Sequence, residues 1–239
     1  MLELKNVVKN FGGLQALSGV SVRFAMGEFV GLIGPNGSGK TTLLSCISGL
    51  YRPSEGSIQL DGREISRLGP HRIYRCGIGR TFQISKVFAR LTVLQNLYIP
   101  AMTVAELDRT GMQQRAVEIL RALKLDQLAE APAERLSGGQ RKLLEIGMVM
   151  MNTPRFLLLD EPFGGVHPVL KNQLEEYLKD LHLSGKSIIL VSHEMSSVFR
   201  ICERLVVLDR GALVTDGPPH EVRADQRVVN AYLGGKHAA

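Results

Sequence analysis

The sequence of 239 residues has no tryptophan, only three cysteines and no continuous apolar run long enough to cross a membrane. Without tryptophan, and without a dense block of lysine and arginine, a nucleic-acid-binding surface has little support. The net charge of +6 fits nucleotide phosphates, nucleic acid or an anionic membrane face, and the favoured interpretation is a solvated basic face. Cys46, Cys76 and Cys202 lie far apart without metal-ligand spacing, which favours reduced core thiols in a cytosolic protein. We therefore expect a chain that does not span a membrane by itself.

The hydrophobic pattern predicts an α/β fold. Short N-terminal strands lead to a buried strand from Phe29 to Ile33, and SIQLDG predicts another strand and turn. Towards the C-terminus we expect a strand over 156–160, a helix over 169–182, a strand in SIILVS and a helix over 194–202. A strand in RLVVLDRG and a terminal helical piece follow. Strands that alternate with helices predict a mainly parallel sheet with helices on both faces.

The middle of the chain has a different character. From about Gln83 to Pro154 apolar residues recur at helical spacing in VLQNLYI, AVEILRALKL and KLLEIGMVMM, with almost no strand signal. We expect a helical subdomain over 84–154, inserted between two parts of one α/β core, 1–83 and 155–235. Residues 1–235 then form one domain, and 236–239 form a loose tail.

The stretch GPNGSGKTT follows the buried strand and precedes a predicted helix, as in a phosphate-binding P-loop. Glycines let backbone N–H groups turn towards phosphate oxygens, and the helix N-terminus adds further donors. Lys40 supplies a positive charge to the terminal phosphates, and the Thr41 hydroxyl is suited to bind Mg²⁺. The predicted ATP-binding residues of this loop are Gly34, Pro35, Asn36, Gly37, Ser38, Gly39, Lys40, Thr41 and Thr42.

Two acidic residues end the strand FLLLD, which is unusual for a buried strand. A P-loop that binds Mg-nucleotide needs a carboxylate from a neighbouring strand, and Asp160 provides it. Glu161 comes next, where it can polarise a water for attack on the γ-phosphate. A little further on, His167 precedes Pro168 and is predicted to cap a helix, a role that Asn or Asp fills better by about 1 kcal/mol. His167 is either a tolerated cap or a pH-sensitive contact.

The stretch LSGGQ, Leu136 to Gln140, comes directly before the apolar helix pattern KLLEIGMVMM. Ser137 with two glycines at a helix start is suited to bind an anion. It is equally an ordinary helix cap followed by a turn.

The order GPNGSGKTT, Gln83 in GRTFQ, LSGGQ, FLLLDEP and His193 in VSHE resembles that of ATP-binding cassette (ABC) ATPases over nearly the whole chain. The resemblance implies a P-loop NTPase (RecA-like) fold with an N-terminal antiparallel β subdomain and an inserted α-helical subdomain. It implies that Phe11 stacks on adenine and that Gln83 reaches the metal, the attacking water and the membrane partner. It also implies that Ser137, Gly138, Gly139 and Gln140 contact the γ-phosphate held by the opposite subunit, and that His193 contacts the γ-phosphate.

The resemblance thus implies an ATPase that uses ATP and Mg²⁺, with Glu161, His193 and Gln83 as catalytic residues and Thr41, Gln83 and Asp160 on the metal. Two copies, identical or paralogous, would close on two ATP molecules, because each ATP bridges both subunits. His167 would then lie where the two subunits meet, so its pH-sensitive contact would cross the dimer. The partners would be integral membrane permeases, and the chain would lie peripherally on the cytoplasmic face of the membrane. No nucleic-acid partner is expected.

GIGRTFQISKVFARLTVLQNL, LEIGMVMM, FLLLDEPFGG and AYLG resemble the ATPases of importers for branched-chain amino acids, urea and short amides. Those importers also use a periplasmic or extracellular solute-binding protein. The chain differs from many of them in a shorter segment before LSGGQ, and in Gly138 where tyrosine is frequent.

Three rival functions remain. An exporter or lipid-transport ATPase shares every catalytic motif. A soluble ABC ATPase of DNA repair or translation usually carries two cassettes or a long coiled coil, and this chain has one cassette and no sustained heptad pattern. A P-loop kinase or GTPase has no use for LSGGQ.

Overall fold

The computed structural model describes residues 1–82, 86–102 and 108–233, with the side chains of 231–233 left out. Gln83 lies outside the described residues. The strands are β1 (Leu2–Phe11), β2 (Leu14–Phe24), β3 (Phe29–Ile33), β4 (Glu55–Leu60), β5 (Arg63–Glu64), β6 (Ile78–Arg80), β7 (Phe156–Asp160), β8 (Ser187–Val191), β9 (Arg204–Asp209) and β10 (Ala212–Gly217). The helices are α1 (Lys40–Ile47), α2 (Pro70–Arg75), α3 (Val93–Ala101), α4 (Arg109–Ala122), α5 (Gly138–Met150), α6 (Pro168–Leu183), α7 (Met195–Ile201), α8 (Pro219–Ala224) and α9 (Gln226–Leu233).

The strands form two sheets. One has the order β10-β9-β3-β8-β7-β6, parallel throughout except for the β9–β10 hairpin, and the other is antiparallel with the order β2-β1-β4-β5. This arrangement confirms the α/β fold with a mainly parallel core and an N-terminal antiparallel sheet. The carboxyl ends of β3 and β7 lie at the same edge, so the residues that follow them are brought together.

The parallel sheet is buried on both faces, which explains its continuous apolar strands. In β7, Leu157 and Leu159 join a core cluster that includes residues of α5 and α6. Phe156 and Leu158 join a second cluster with residues of α1 and the antiparallel sheet. The alternation confirms helices on both faces of the sheet.

The described part of the inserted segment between β6 and β7 is mainly helical, as its apolar spacing predicts. Helix α3 packs on α4 and α5. Helix α5 approaches α4 closely at Gly147, where an added Cβ would lie 2.9 Å from Leu123, just after α4, and 3.0 Å from Ile119 in α4. Asn96 is fully buried and donates to the carbonyls of Phe88 and Thr92, which holds the chain before α3 against the helix.

Most of the predicted elements are confirmed, and a few short ones were not predicted. β3 and β7 have the predicted bounds, and α6 and α7 differ from theirs by one residue at each end. The sequence did not predict β6, β10 or α2, because each is six residues or fewer and contains glycine, aspartate or arginine. Cys46 and Cys202 are buried as expected, whereas Cys76 is only half-buried.

Across the described ranges, no helix combines the length and apolar character that a membrane crossing requires.

Candidate functional site

A cleft of about 740 Å³ opens where β3 and β7 end and the antiparallel sheet approaches them. It brings together ten of the residues singled out in the sequence. Its lining residues are Phe11, Leu14, Gln15, Ala16, Asn36, Gly37, Gly39, Lys40, Thr41, Thr42, Asp160, Glu161, Val191, His193 and Arg210. Gly34, Pro35 and Ser38 belong to the same loop without lining the cleft.

Two glycines of the P-loop are required by close backbone approach. Gly34 has φ 149°, and a Cβ there would lie 2.0 Å from the carbonyl oxygen of Leu208. Gly39, the N-cap of α1, has φ 101°, and its Cβ would lie 2.7 Å from the carbonyl oxygen of Ala16. Both positions therefore exclude side chains, and the loop passes directly into the first turn of α1 with its N–H donors at the cleft.

Backbone hydrogen bonds hold the P-loop from outside. The carbonyl of Ser38 accepts from the N–H of Gly211, at 3.1 Å between N and O. The carbonyl of Gly211 in turn accepts from the N–H of Ser18 in β2, at 2.8 Å. The loop is thus connected to the β9–β10 turn and to the antiparallel sheet.

Lys40 is almost fully buried beneath the loop. Its Nζ donates to the carbonyls of Gly34 and Pro35, each at 2.8 Å, and lies 3.5 Å from the Ser38 hydroxyl. Burial lowers the pKa of the Lys40 ammonium, and the carboxylates of Glu161 and Asp160 oppose that shift. The charge of Lys40 is therefore placed beneath the site that the loop amides form.

Asp160 and Thr41 meet at the floor of the cleft. The Thr41 hydroxyl lies 3.3 Å from Asp160 Oδ1, and the other carboxylate oxygen, Oδ2, lies 3.1 Å from Nη2 of Arg80. The side chains of Asp160 and Arg80 are 2% and 6% exposed, so this ion pair is buried. Arg80 also donates to the hydroxyls of Ser45 and Ser48 at 2.9 and 3.0 Å, which ties β6 to α1.

Glu161 lies in an unusual environment. Its backbone has φ 53°, a left-handed conformation that is uncommon for a non-glycine residue. Oε2 accepts from the backbone N–H of His193 at 3.2 Å. Oε1 lies 3.3 Å from His193 Nε2, but among the described residues it accepts no hydrogen bond of good geometry. Burial, aided by the charge of Asp160, raises the pKa of the Glu161 carboxyl, whereas His193 and Lys40 act against the rise.

Phe11 lies at the other end of the cleft, where β1 ends. Its ring is 40% exposed and makes an edge-to-face contact with Tyr51, at 5.1 Å between ring centroids. The Lys9 ammonium lies 4.9 Å from the Phe11 ring centroid. A partly exposed aromatic side chain therefore lines the cleft.

The residues Ser137 to Gln140 of LSGGQ, here called the signature residues, do not line this cleft. Ser137 caps α5: its hydroxyl accepts from the N–H of Gln140 at 3.3 Å, and the Gln140 side chain accepts from the N–H of Ser137 at 2.9 Å. Ser137 and Gly138 are exposed, while Gly139 packs against Val166 and Leu170. Within one chain the helix-cap interpretation therefore describes these residues.

His167 caps α6, as predicted. Its Nδ1 accepts from the N–H of Val169 at 3.4 Å, a long distance for a hydrogen bond. An accepting Nδ1 carries no proton, so this cap requires a neutral imidazole ring with its proton on Nε2.

Sequence reasoning missed Arg80, Arg210 and Lys142 as contributors to the site. Arg80 stands three residues before Gln83 at the end of a very short strand, and its charge beside the predicted motif was the available signal. Arg210, in the β9–β10 turn, lines the cleft with φ 45°. Lys142, on α5, donates to the backbone carbonyl of Glu161 at 2.6 Å. Nothing in its own stretch of sequence indicates that contact.

The family model described as "ABC transporter" matches residues 17–164. The chain belongs to the ABC transporter family. A second model, described as "Branched-chain amino acid ATP-binding cassette transporter", matches residues 212–238 of this ABC protein. Membership makes the chain an ATP-binding ATPase subunit of a transporter.

Two curated relatives of this ABC ATPase have different names. A probable branched-chain amino acid transport ATP-binding protein, LivG of Archaeoglobus fulgidus, is 36% identical over 247 residues, covering 99% of this chain and 96% of the relative. The lipopolysaccharide export system ATP-binding protein LptB of Haemophilus influenzae is 35% identical over 238 residues, covering 98% and 97%.

Solved ABC cassettes have the same fold. A nucleotide-free cassette from an ABC transporter superposes with a TM-score of 0.88 at 32% identity, covering 97% of this chain and 98% of that one. The cassette MJ0796, in a dimeric post-hydrolysis state bound to ADP and Pi, gives 0.83 at 29% identity, covering 91% and 98%.

Proposed function

We propose that this ABC ATPase powers an importer of branched-chain amino acids or of related small solutes. The observation that carries the proposal is the match of residues 212–238 to the family model named for branched-chain amino acids. That segment lies outside the catalytic motifs which all cassettes share. The name of the LivG relative supports the same assignment.

In the proposed reaction, the amides of the P-loop and the N-terminus of α1 bind the phosphates of ATP. Lys40 exchanges its bonds to the loop carbonyls for bonds to the terminal phosphates, since an ammonium is a good phosphate ligand. Phe11 stacks on the adenine at the rim of the cleft, and the remaining predicted loop residues shape the phosphate site.

The metal site is proposed at Thr41 and Asp160. A hydroxyl and a carboxylate oxygen 3.3 Å apart are hard ligands of the kind that Mg²⁺ takes together with phosphates and water. Mg²⁺ bound there would neutralise charge on the phosphates. Gln83, the third predicted ligand, lies outside the described residues and stays a prediction.

Glu161 is proposed as the residue that polarises the attacking water. Its raised pKa makes the carboxylate a better proton acceptor than an ordinary glutamate, and its oxygen Oε1 has no strong donor among the described residues. His193 contacts Glu161 through both its backbone and its ring, and is proposed to contact the γ-phosphate from the same end of the cleft.

The active form is proposed to be a dimer, identical or paralogous, in which Ser137, Gly138, Gly139 and Gln140 bind the ATP held by the opposite P-loop. Their position away from their own cleft and the dimeric MJ0796 cassette support this arrangement. Each site is then incomplete in a single chain.

We further propose that the dimer lies peripherally at the cytoplasmic face of the membrane, against integral permease subunits. A solute-binding protein is proposed as an additional partner of the importer. Within the chain, 84–154 is proposed as the helical subdomain, with 1–83 and 155–235 as the core and 236–239 as a tail.

Two variants test the ATPase assignment together. Lys40→Ala should lose ATP affinity, because the phosphate charge is left uncompensated. Glu161→Gln should retain binding, lose nearly all hydrolysis and accumulate as an ATP-bound dimer. Equilibrium ATP binding, phosphate release and light scattering measure the three quantities. Unchanged ATP affinity in Lys40→Ala, or near-normal turnover in Glu161→Gln, would remove the residue concerned from its role.

Lipid export is a second candidate function, favoured by the identity of 35% to LptB. The chain purified with its permeases and reconstituted in liposomes separates the two. ATP-dependent uptake of leucine or valine, with Glu161→Gln as the inactive control, supports import. ATPase stimulation by a lipid substrate without uptake favours export.

A further inference from the structure

Lys142 makes a contact that no known motif of the chain explains. It lies in the second turn of α5, and its Nζ donates to the backbone carbonyl of Glu161 at 2.6 Å. Burial lowers the pKa of the Lys142 ammonium, and the charges of Glu161 and Glu145 oppose the shift. The contact therefore links the inserted helical segment to the turn that follows β7.

The carbonyl that Lys142 binds belongs to a strained peptide. Glu161 has φ 53°, and a non-glycine residue keeps such a conformation only where its surroundings hold it. The N–H of Gly164 also donates to this carbonyl, at a longer 3.3 Å. The bond from Lys142 is the shorter one and carries a charge, so it is the stronger restraint. Because the backbone angle of Glu161 sets where its side chain points, the restraint also orients the carboxylate towards the cleft.

A second side chain of α5 contacts the chain segment that follows β6. Glu145 lies three residues after Lys142, on the same helix face, and its Oε1 accepts from the N–H of Phe82 at 2.9 Å. Phe82 is the last described residue before Gln83. One face of α5 therefore contacts both the chain segment that follows β6 and the turn that follows β7.

Helix α5 begins at the signature residues, which in the proposed dimer bind the ATP of the other subunit. We propose that Lys142 is a positioning residue that holds the Glu161 carboxylate in its catalytic orientation. Because Lys142 lies on α5, that orientation then depends on the position of α5. This inference rests on the proposed function of Glu161. In the proposed dimer the signature residues bind the ATP of the opposite subunit, whereas Glu161 acts on the ATP of its own P-loop. Lys142 thus connects the two ATP sites.

The test compares Lys142→Met, which removes the donor, with Lys142→Arg, which keeps it. Lys179→Met on the exposed face of α6 is the matched control for loss of a lysine. In the full-length chain we expect Lys142→Met to lower kcat by about 10- to 100-fold, since small misplacements of a catalytic group cost this much. KM for ATP should change less than twofold, and Lys142→Arg should recover most of the rate.

The dimer provides a readout that simple damage to α5 would not give. If Lys142 acts through Glu161, Lys142→Met still closes on ATP and accumulates as an ATP-bound dimer in light scattering. Loss of that dimer, or equal loss of rate in Lys142→Arg, would mean that Lys142 supports the helix itself, and would overturn the inference. A kcat unchanged in Lys142→Met would overturn it directly. Lys142→Gln replaces the Met variant if that variant does not fold.

Glu161→Gln measured in parallel separates this inference from the proposed function. If Glu161→Gln hydrolyses ATP at nearly the normal rate, the role of Glu161 fails, and the inference about Lys142 fails with it. If Glu161→Gln is inactive while Lys142→Met is normal, only the inference about Lys142 fails.

Discussion

The buried pair of Arg80 and Asp160 allows a quantitative prediction for Arg80→Met. The variant leaves the Asp160 carboxylate, 2% exposed, without its cationic partner. Removing one member of a buried pair costs about 3–5 kcal/mol, because the remaining charge stays desolvated. In a chain of this length 1 kcal/mol corresponds to about 2–4 °C in Tm, so the expected loss is about 6–20 °C.

Differential scanning calorimetry without nucleotide measures the effect. Arg72→Met, at an exposed position of α2, is the control and should change stability by no more than about 0.5 kcal/mol. Adding Asp160→Asn to Arg80→Met removes the unpaired charge and should recover part of the lost stability. A Tm within 2 °C of the wild type in Arg80→Met, or no recovery in the double variant, would refute the reasoning from buried charge.

Two further predictions concern stability and pH dependence. The pKa of Glu161 is raised by folding above its ordinary value of 4.5, so its stabilising contribution is complete below about pH 4.5 and is lost as the pH rises. In urea titrations, the free energy of unfolding of Glu161→Gln should therefore exceed that of the wild type by an amount that grows from pH 4 to pH 8. Glu176→Gln, at an exposed position, is the control. A difference that stays constant with pH would contradict the raised pKa. For His167→Asn, a better cap should raise stability by about 1 kcal/mol and leave the pH profile of ATPase activity unchanged. A shifted profile would support a contact of His167 across the dimer.

The elements that were predicted most accurately are those with a recognisable local sequence pattern. β3 and β7 are continuous apolar runs bounded by glycine or charge, so their ends were predictable. The strands β6 and β10 were not predictable, because Ile78–Arg80 is only three residues long and Ala212–Gly217 ends in the turn-like sequence Thr-Asp-Gly. Their strand conformation comes from pairing with β7 and β9 respectively.

The same distinction applies to the site. The P-loop, Asp160 and Glu161 were predictable because nucleotide chemistry needs these residue types at fixed spacing. Arg80 and Lys142 were not, because they reach the site from positions 80 and 19 residues away from their partners. Only the tertiary packing of β6 and α5 brings them there.

The backbone hydrogen bonds that Gly211 donates to Ser38 and that Ser18 donates to Gly211 have a consequence for the kinetics of nucleotide binding. A phosphate-binding loop that is already fixed loses little conformational entropy when ligand arrives. Apart from the side chain of Lys40, little in the loop has to rearrange before the phosphates can be bound. The association rate should then be limited by diffusional encounter, and differences in affinity between ATP and ADP should appear mainly in their dissociation rates.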